Sequence, residues 1–579
     1  MNRNTNAHFS ELPSVDIRRS VLDRSHSHKT SGNVGDLIPV YVDADIMPGD
    51  TVQIDTSKVV RFQTMLTPMM DNMQCDFYWF FVPHRLVWDH WINFMGENTS
   101  SDWTPAVTYT VPQLVVYPES TSGSFNTTGT ILDYMGFPVG MLSTDPGAAP
   151  YIKINALPVR AYARVCSDWF RSENVTDPLN IYTGDNDVNA ISTGNGYIDD
   201  VARGGDPFVV AKYHDYFSSA LPAPQKGSAV EISLTSNTSL PVYTGNKEVP
   251  VSSSAFSWKI PNSGAISTNS VYKISATPNK YFQFEVDDNL SGFEMSTFSN
   301  DFAGAYGDTT YSKIAPTNLW TAAPTGLSFS VNDMRYAFQL QKLLERDARG
   351  GTRYIEVIRS HFGVISPDAR MQRPEYLGGN RFAINVNQVS NTAQTESDFL
   401  GDLGAYSVTS DVHSDFTHSF TEHGTLMCLM CVRYDHTYSQ GLDKMWTRKS
   451  RFDYYWPVFA NIGEQPIMKT EIYCDGTQVA NQPWGYQEAW ADYRYAKNLS
   501  TAEMRPYVSN GLASWTLADD YSSEPSLSDG WLREDKTNVD RVLAVTSSVS
   551  NQFWADIYFN AKYTRPMPVY SIPGLIDHN

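Results

Sequence analysis

Cys428 and Cys431 stand three apart, the spacing at which two thiolates can share a zinc ion. No second pair follows, and residues three apart on a strand point to opposite faces, so two buried thiols are expected. His413, His418 and His423 recur at intervals of five, with His436 beyond them. No cysteine or carboxylate pattern completes a ligand set there, which favours surface or interface histidines. Asp185, Asp187 and Asn189 imitate the start of a calcium loop. The imitation fails, because Ala190 stands where the turn glycine belongs and Gly196 where the bidentate glutamate belongs. Phosphate-cradling glycine loops, HExxH and GxSxG are absent, and no carboxylate pair is singled out for acid–base work. No catalytic residue, metal or cofactor is therefore assigned.

Binding chemistry is better represented. Arg448, Lys449 and Arg451 precede Tyr454, Tyr455 and Trp456. Basic residues interleaved with rings grip single-stranded DNA through phosphate contacts and base stacking. The same pattern also serves cation–π packing at a subunit contact. Residues 1–35 carry Arg3, Arg18, Arg19, Arg24 and Lys29 with little periodicity, and are expected to form an extended arm that orders on DNA or on a neighbour, or else a plain flexible tail. Arginines crowd a further stretch: Arg335, Arg346, Arg349, Arg353, Arg359, Arg370, Arg373 and Arg381. Planar guanidinium groups suit subunit contacts or a nucleic-acid backbone. Trp88, Trp91, Ile92 and Met95 fall on one side of a short helix predicted over Val87–Met95, a core plug or subunit contact before it is a platform for bases.

The elements that must hold these groups are mostly strands. The chain has 579 residues, 41% hydrophobic and 13% aromatic, enough to bury a large core. Residues 37–86 alternate in strand fashion around a Pro-Gly turn, and Cys75–Val82 is almost continuously apolar, as in a strand covered on both faces. The run 425–432 is similar. Helices are predicted over 157–170, with Pro158 in the first turn, and from Asn332 or Asp333 to Gly350 and Gly351, with Ala337, Leu340, Leu344 and Ala348 as the buried stripe. Tyr354–Val364 is expected to be strand-like. No apolar run approaches the ~20 residues of a membrane helix, the N-terminus lacks an apolar signal core, and five cysteines imply no disulfide framework. Net charge is −20, so this chain is not expected to condense nucleic acid unaided. Residues 228–326 differ from their flanks: they contain no arginine and no cysteine, and are rich in Ser, Thr, Asn and Gly with hairpin-like alternations.

Four long phrases carry a resemblance: FYWFFVPHRLVWDHWINFMGEN at 77–98, KYHDYFSSALPAPQKG at 212–227, NDMRYAFQLQKLLERDARGG from 332, and QPWGYQEAWADYRYAKN at 482–498. The chain resembles the major capsid protein of gokushovirus-type microviruses, small tailless single-stranded DNA phages. The likeness spans nearly the whole chain and is weakest over 228–326. It implies a mainly β fold, an eight-stranded antiparallel jelly roll with large loop insertions and a few short helices. It further implies a T=1 shell of about 60 copies closed by rotational contacts around a circular single-stranded DNA genome. The implied partners are a small basic internal DNA-binding protein, scaffolding and minor capsid proteins, and a bacterial receptor, with assembly in the host cytoplasm and no membrane insertion.

On that resemblance the chain divides into an internal arm (1–35), a first part of the roll (36–227), a threefold protrusion for host attachment (228–326) and a second part (327–579). DNA contacts are expected at Arg3, Arg18, Arg19, Arg24, Lys29, Arg448, Lys449, Arg451, Tyr454 and Trp456. Subunit contacts are expected at Arg346, Arg349, Arg353, Arg370, Arg373, Trp88 and Trp91, and receptor contacts at Tyr243, Trp258, Tyr281, Phe293 and Tyr306. The alternatives are a jelly-roll carbohydrate-binding protein or a polysaccharide-degrading enzyme.

Overall fold

The computed structural model describes residues 18–97, 107–117, 128–139, 151–191, 197–228, 230, 351, 354–363, 372–394, 399–476 and 482–570, with the strands and one helix that fall within 242–350. Two compact units result, Met1–Gly227 with Leu344–Asn579, and Ser228–Leu343.

In the larger unit, ten strands form two antiparallel sheets: β1 (Ser20–Asp23), β2 (His26–Gly32), β3 (Ile38–Ile46), β4 (Thr51–Met65), β5 (Met73–Pro83), β6 (Glu375–Ala383), β7 (Val386–Ser390), β8 (Leu403–Ser419), β9 (Gly424–Tyr434) and β10 (Phe553–Arg565). One sheet runs β1-β10-β4-β8-β7, with β2 also on β10; the other runs β6-β5-β9-β3. The pairs β2·β10, β3·β9, β4·β8 and β5·β6 are nested, each inside the one before, and alternate between the sheets. A long antiparallel ribbon rolled over itself has this connectivity.

Burial follows from the side-chain period of two. Strands β4 and β10 alternate between buried and exposed, so their sheet has one covered face. Strands β5 and β9 are buried almost throughout. Their inward side chains, such as Phe77, Trp79, Leu426 and Cys428, meet Ile54, Val60, Ile557 and Phe559 of the other sheet. Their reverse side chains, Phe80, Val82, Met427, Leu429 and Cys431, meet Ala161, Tyr162 and Val165 of helix α1 (Leu157–Val165). A sheet with two dry faces needs apolar residues at consecutive positions, which is why these runs lack alternation. The two cysteines thus sit in separate cores, and burial raises both thiol pKa values, that of Cys431 to about 12.

Two inward positions of β4, Thr56 and Lys58, break the apolar rule, and one of them is charged. Lys58 of β4 is fully buried; its Nζ lies 3.2 Å from Asp411 of β8, directly opposite in register, and 4.5 Å from the centre of the Phe77 ring. Asp411 is partly exposed and also accepts from Asn380, so Lys58→Ala is expected to lower subunit stability by roughly 1–3 kcal/mol, read from urea unfolding.

Several expectations need correction. Residues 20–32 are not an arm awaiting a partner: β1 and β2 pair with β10 within the chain. Tyr354–Phe362 is helix α3, not strand. It folds back on helix α2 (Val331–Gly350), where His361 Nε2 meets Asp347 Oδ1 at 2.6 Å. Gly351, at φ +85°, makes the turn, and a Cβ on Gly350 would stand 2.6 Å from that of Ser360. Helix α2 also begins one residue before the Asn332 cap position. Helix 157–170 widens to π geometry over Cys166–Phe170. The Val87–Met95 helix is interrupted, because the Asp89 amide donates to Thr183 O (3.0 Å) and Trp88 Nε1 to Asp185 Oδ1 (2.7 Å). Only Trp91–Phe94 is α-helical, and Ile92 and Met95 are exposed while Trp88 is not.

In the smaller unit, Val242–Asn246 pairs with Val249–Pro250 and Leu319–Thr321, and Lys280–Val286 pairs with Ser270–Tyr272 and Phe293–Ser299, all antiparallel.

Candidate functional site

Buried charge clusters lock the loops of the larger unit onto its sheets. On β5, Asp76 accepts from Arg381 Nε (2.5 Å), Arg433 Nη2 (2.6 Å), and the hydroxyls of Tyr78 and Tyr213 (both 2.9 Å). Both guanidinium groups lie over the Tyr213 ring, at 4.5 and 4.1 Å. Burial alone would raise the Asp76 pKa, but Arg433 and Arg381 outweigh it and hold the carboxyl below its ordinary range. A second cluster centres on His436, whose Nδ1 is 2.7 Å from Asp519 and Nε2 3.0 Å from Glu534. Lys212 Nζ (3.3 Å), the Tyr521 hydroxyl (2.5 Å) and Asn538 Nδ2 (3.0 Å) also contact Asp519. Neither cluster is marked as a unit in the sequence, because its members are far apart in the chain; only Arg381, in the arginine-rich stretch, and His436, the last of a histidine series, stand out. His413 pairs with Asp415 (3.0 Å) and His418 lies 3.7 Å from Glu375. Asp185 and Asp187 are engaged by Trp88, His90, Gln113 and Lys153. Among the described residues, no cluster of three or more His, Cys, Asp or Glu could hold a metal ion.

The basic–aromatic stretch is surface, and of its two readings the cation–π packing is present within the chain. Arg448 is paired with Asp492, mostly buried, and lies 4.4 Å above the Tyr493 ring. It is thus a brace between segments and not a free phosphate contact. Lys449 and Arg451 are exposed, with Arg451 over the Phe452 ring at 4.7 Å. Tyr454 and Trp456 are about half exposed. Removing the Arg448 guanidinium leaves Asp492 unmatched, so Arg448→Ala is expected to lower stability by roughly 1–3 kcal/mol, whereas Arg451→Ala should stay within about 0.5 kcal/mol, both read from denaturant unfolding.

The other expected contact residues scatter. Trp88 has no exposed surface, so it cannot reach another subunit; Trp91 is partly exposed. Arg349 is matched within the chain by Glu464 and by Glu488 (3.5 Å). It borders a cleft of about 850 Å³ with Trp169, Arg171, Arg359 and Glu488 on its walls. Arg373 stacks on Trp169 (4.6 Å), and Arg346 is exposed. Near the N-terminus, Arg18 and Arg19 are exposed, Arg24 pairs with Asp43 and lies over Tyr563, and Lys29 is 3.5 Å from Asp556. Tyr243, Trp258, Tyr281 and Phe293 lie in the strands of the smaller unit. Arg3, Arg353, Arg370 and Tyr306 fall outside the described residues.

Among the described residues no catalytic constellation emerges; what emerges is a rolled sandwich braced by buried ions and bearing exposed rings and guanidinium groups. The family described as capsid protein (F protein) matches residues 10–575. The chain belongs to that family. Capsid protein VP1 of Chlamydia phage 1 is 34% identical, covering 98% of this chain and 97% of its own. Capsid protein VP1 of Spiroplasma virus 4 is 35% identical over the same shares, and that of Bdellovibrio phage phiMH2K 34%. The chain is accordingly a gokushovirus-type microvirus capsid protein: a structural component of the virion of a single-stranded DNA phage, built to self-associate, and not an enzyme.

Proposed function

We propose that this capsid protein folds as an eight-stranded viral jelly roll and that about 60 copies close a T=1 icosahedral shell around a circular single-stranded DNA genome. The nested strand pairing carries the proposal. Strands β2, β3, β4, β5, β6, β8, β9 and β10 make two four-stranded halves, with β1 and β7 as additional edge strands. A net charge of −20 cannot neutralise packed phosphates, so a small basic internal protein accompanies the genome. Scaffolding and minor capsid proteins act during assembly. Residues 228–326 carry host attachment at the threefold axis, and the compact unit containing them extends to Leu343. Exposed Arg18 and Arg19 meet the DNA, and exposed Arg346 and partly exposed Trp91 meet neighbouring subunits. Electron microscopy and sedimentation of the purified protein test the shell: uniform megadalton particles are expected, and a stable small oligomer under conditions where related shells form would refute it.

A further inference from the structure

We propose that the ridge formed by Trp446, Phe452, Tyr454, Tyr455, Trp456 and Val458 is a docking surface for a second copy of this chain, and not a platform for the genome. This rests on the self-assembly proposed above and adds the place where one seam forms. The six side chains are between 44% and 88% exposed, over a stretch of thirteen positions. Scattered exposed apolar residues are ordinary, but so dense a group marks an interaction site. Fully exposed rings offer roughly 150–250 Å² each, so these five present on the order of 600 Å². Val458 adds to that, approaching the ~800 Å² per partner of a standard stable interface.

The ridge is also preorganised. Ser450 and Asp453 form a reciprocal capping box, Trp456 Nε1 donates to Arg451 O (2.8 Å), the Tyr455 amide donates to the Tyr493 hydroxyl (3.3 Å), and Pro457 follows. Little ordering entropy remains to be lost on docking.

Three observations favour protein over DNA. Stacking of bases needs open ring faces, yet Arg451 already lies over Phe452 and Arg448 over Tyr454 (5.5 Å). Phosphate tracking needs a cationic groove, yet Arg448 is neutralised by Asp492, and Asp453 offsets part of what Lys449 and Arg451 supply. Finally, Val458 is the most exposed member and has no face on which a base can stack. A neighbouring copy, acidic at −20, suits the two remaining cations at the ridge margin.

Two measurements test this. Hydroxyl-radical footprinting of wild-type virions is expected to show Trp446 and Trp456 protected at least fivefold relative to unassembled subunits, and still protected in shells emptied of DNA. Protection lost on emptying assigns the ridge to the genome and overturns the proposal, as does reactivity in the intact particle. Genomes encoding Val458→Asp or Trp446→Glu are expected to give at least tenfold fewer particles by sedimentation, with soluble subunits that unfold at the wild-type denaturant midpoint. Normal particle yields from both variants overturn the proposal. Failure of wild-type protein to form particles at all would instead sink the proposed shell.

Discussion

Phage whose capsid protein lacks residues 228–343, with Gly227 joined to Leu344 through a few glycines, is expected to assemble but to adsorb to its host more than tenfold less efficiently. The geometry favours this excision. The Lys226 amide donates to Leu344 O at 3.3 Å, so the chain leaves and re-enters the larger unit at one point. Neither nested strand pairs nor the two principal cores include residues from the excised segment. Shortening a loop also lowers its closure entropy slightly. Helix α2 would keep only its last turns, including Leu344 and Ala348 of its buried stripe. Adsorption is measured by removal of free particles from a cell suspension. Unaltered adsorption would refute the attachment role, whereas an insoluble capsid protein would refute the independence of the segment.

His436→Gln is expected to lower subunit stability by about 3–5 kcal/mol, because it leaves Asp519 and Glu534 buried with less than their matching charge. The wild-type pH profile carries the same signature. Burial by itself would depress the His436 pKa, but the two carboxylates outweigh it and the group is pushed up to about 9. A folded-state pKa above the unfolded value of 6.5 means that charged His436 stabilises the fold fully below pH 6.5. That contribution, roughly 3 kcal/mol, disappears as the pH rises through about 9. Asp519 moves the other way: burial would raise it, but His436 and Lys212 hold it below its usual range, so its share is present above pH 3.8 and is lost on acidification. Unfolding midpoints across pH 6 to 10 should therefore fall on the alkaline side for wild type and much less so for His436→Gln. Parallel profiles would remove His436 from the account.

Much of this was legible beforehand where local pattern and tertiary environment agree. The apolar runs at 75–82 and 425–432 announced strands with two covered faces, and β5 and β9 are those strands. The Ala337–Leu340–Leu344–Ala348 stripe is the more covered side of α2. Failures came where a distant segment decides. The strand-like period of Tyr354–Val364 misleads because Tyr354–Phe362 is a helix folded back on α2 across a glycine turn, with His361 on Asp347. The Val87–Met95 helix breaks at hydrogen bonds to residues 183–185, nearly a hundred positions away. Arg448 can be read in sequence as a phosphate contact because Asp492, which neutralises it, is 44 positions away. Composition records how many charges a stretch carries; pairing, which settles their use, is a property of the folded chain.

The pairing of β1 and β2 with β10 has a temporal consequence. A ribosome adding about 5–20 residues per second needs on the order of a minute to travel from residue 32 to residue 565. Throughout that interval β1 and β2 have no mate, and β4 lacks one of its two neighbours. The polypeptide cannot present finished edges until translation is nearly over. Unpaired strand edges readily pair with another chain, so nascent chains crowded on one messenger are exposed to mispairing until β10 emerges, and tile-to-tile joining is left to molecules already released.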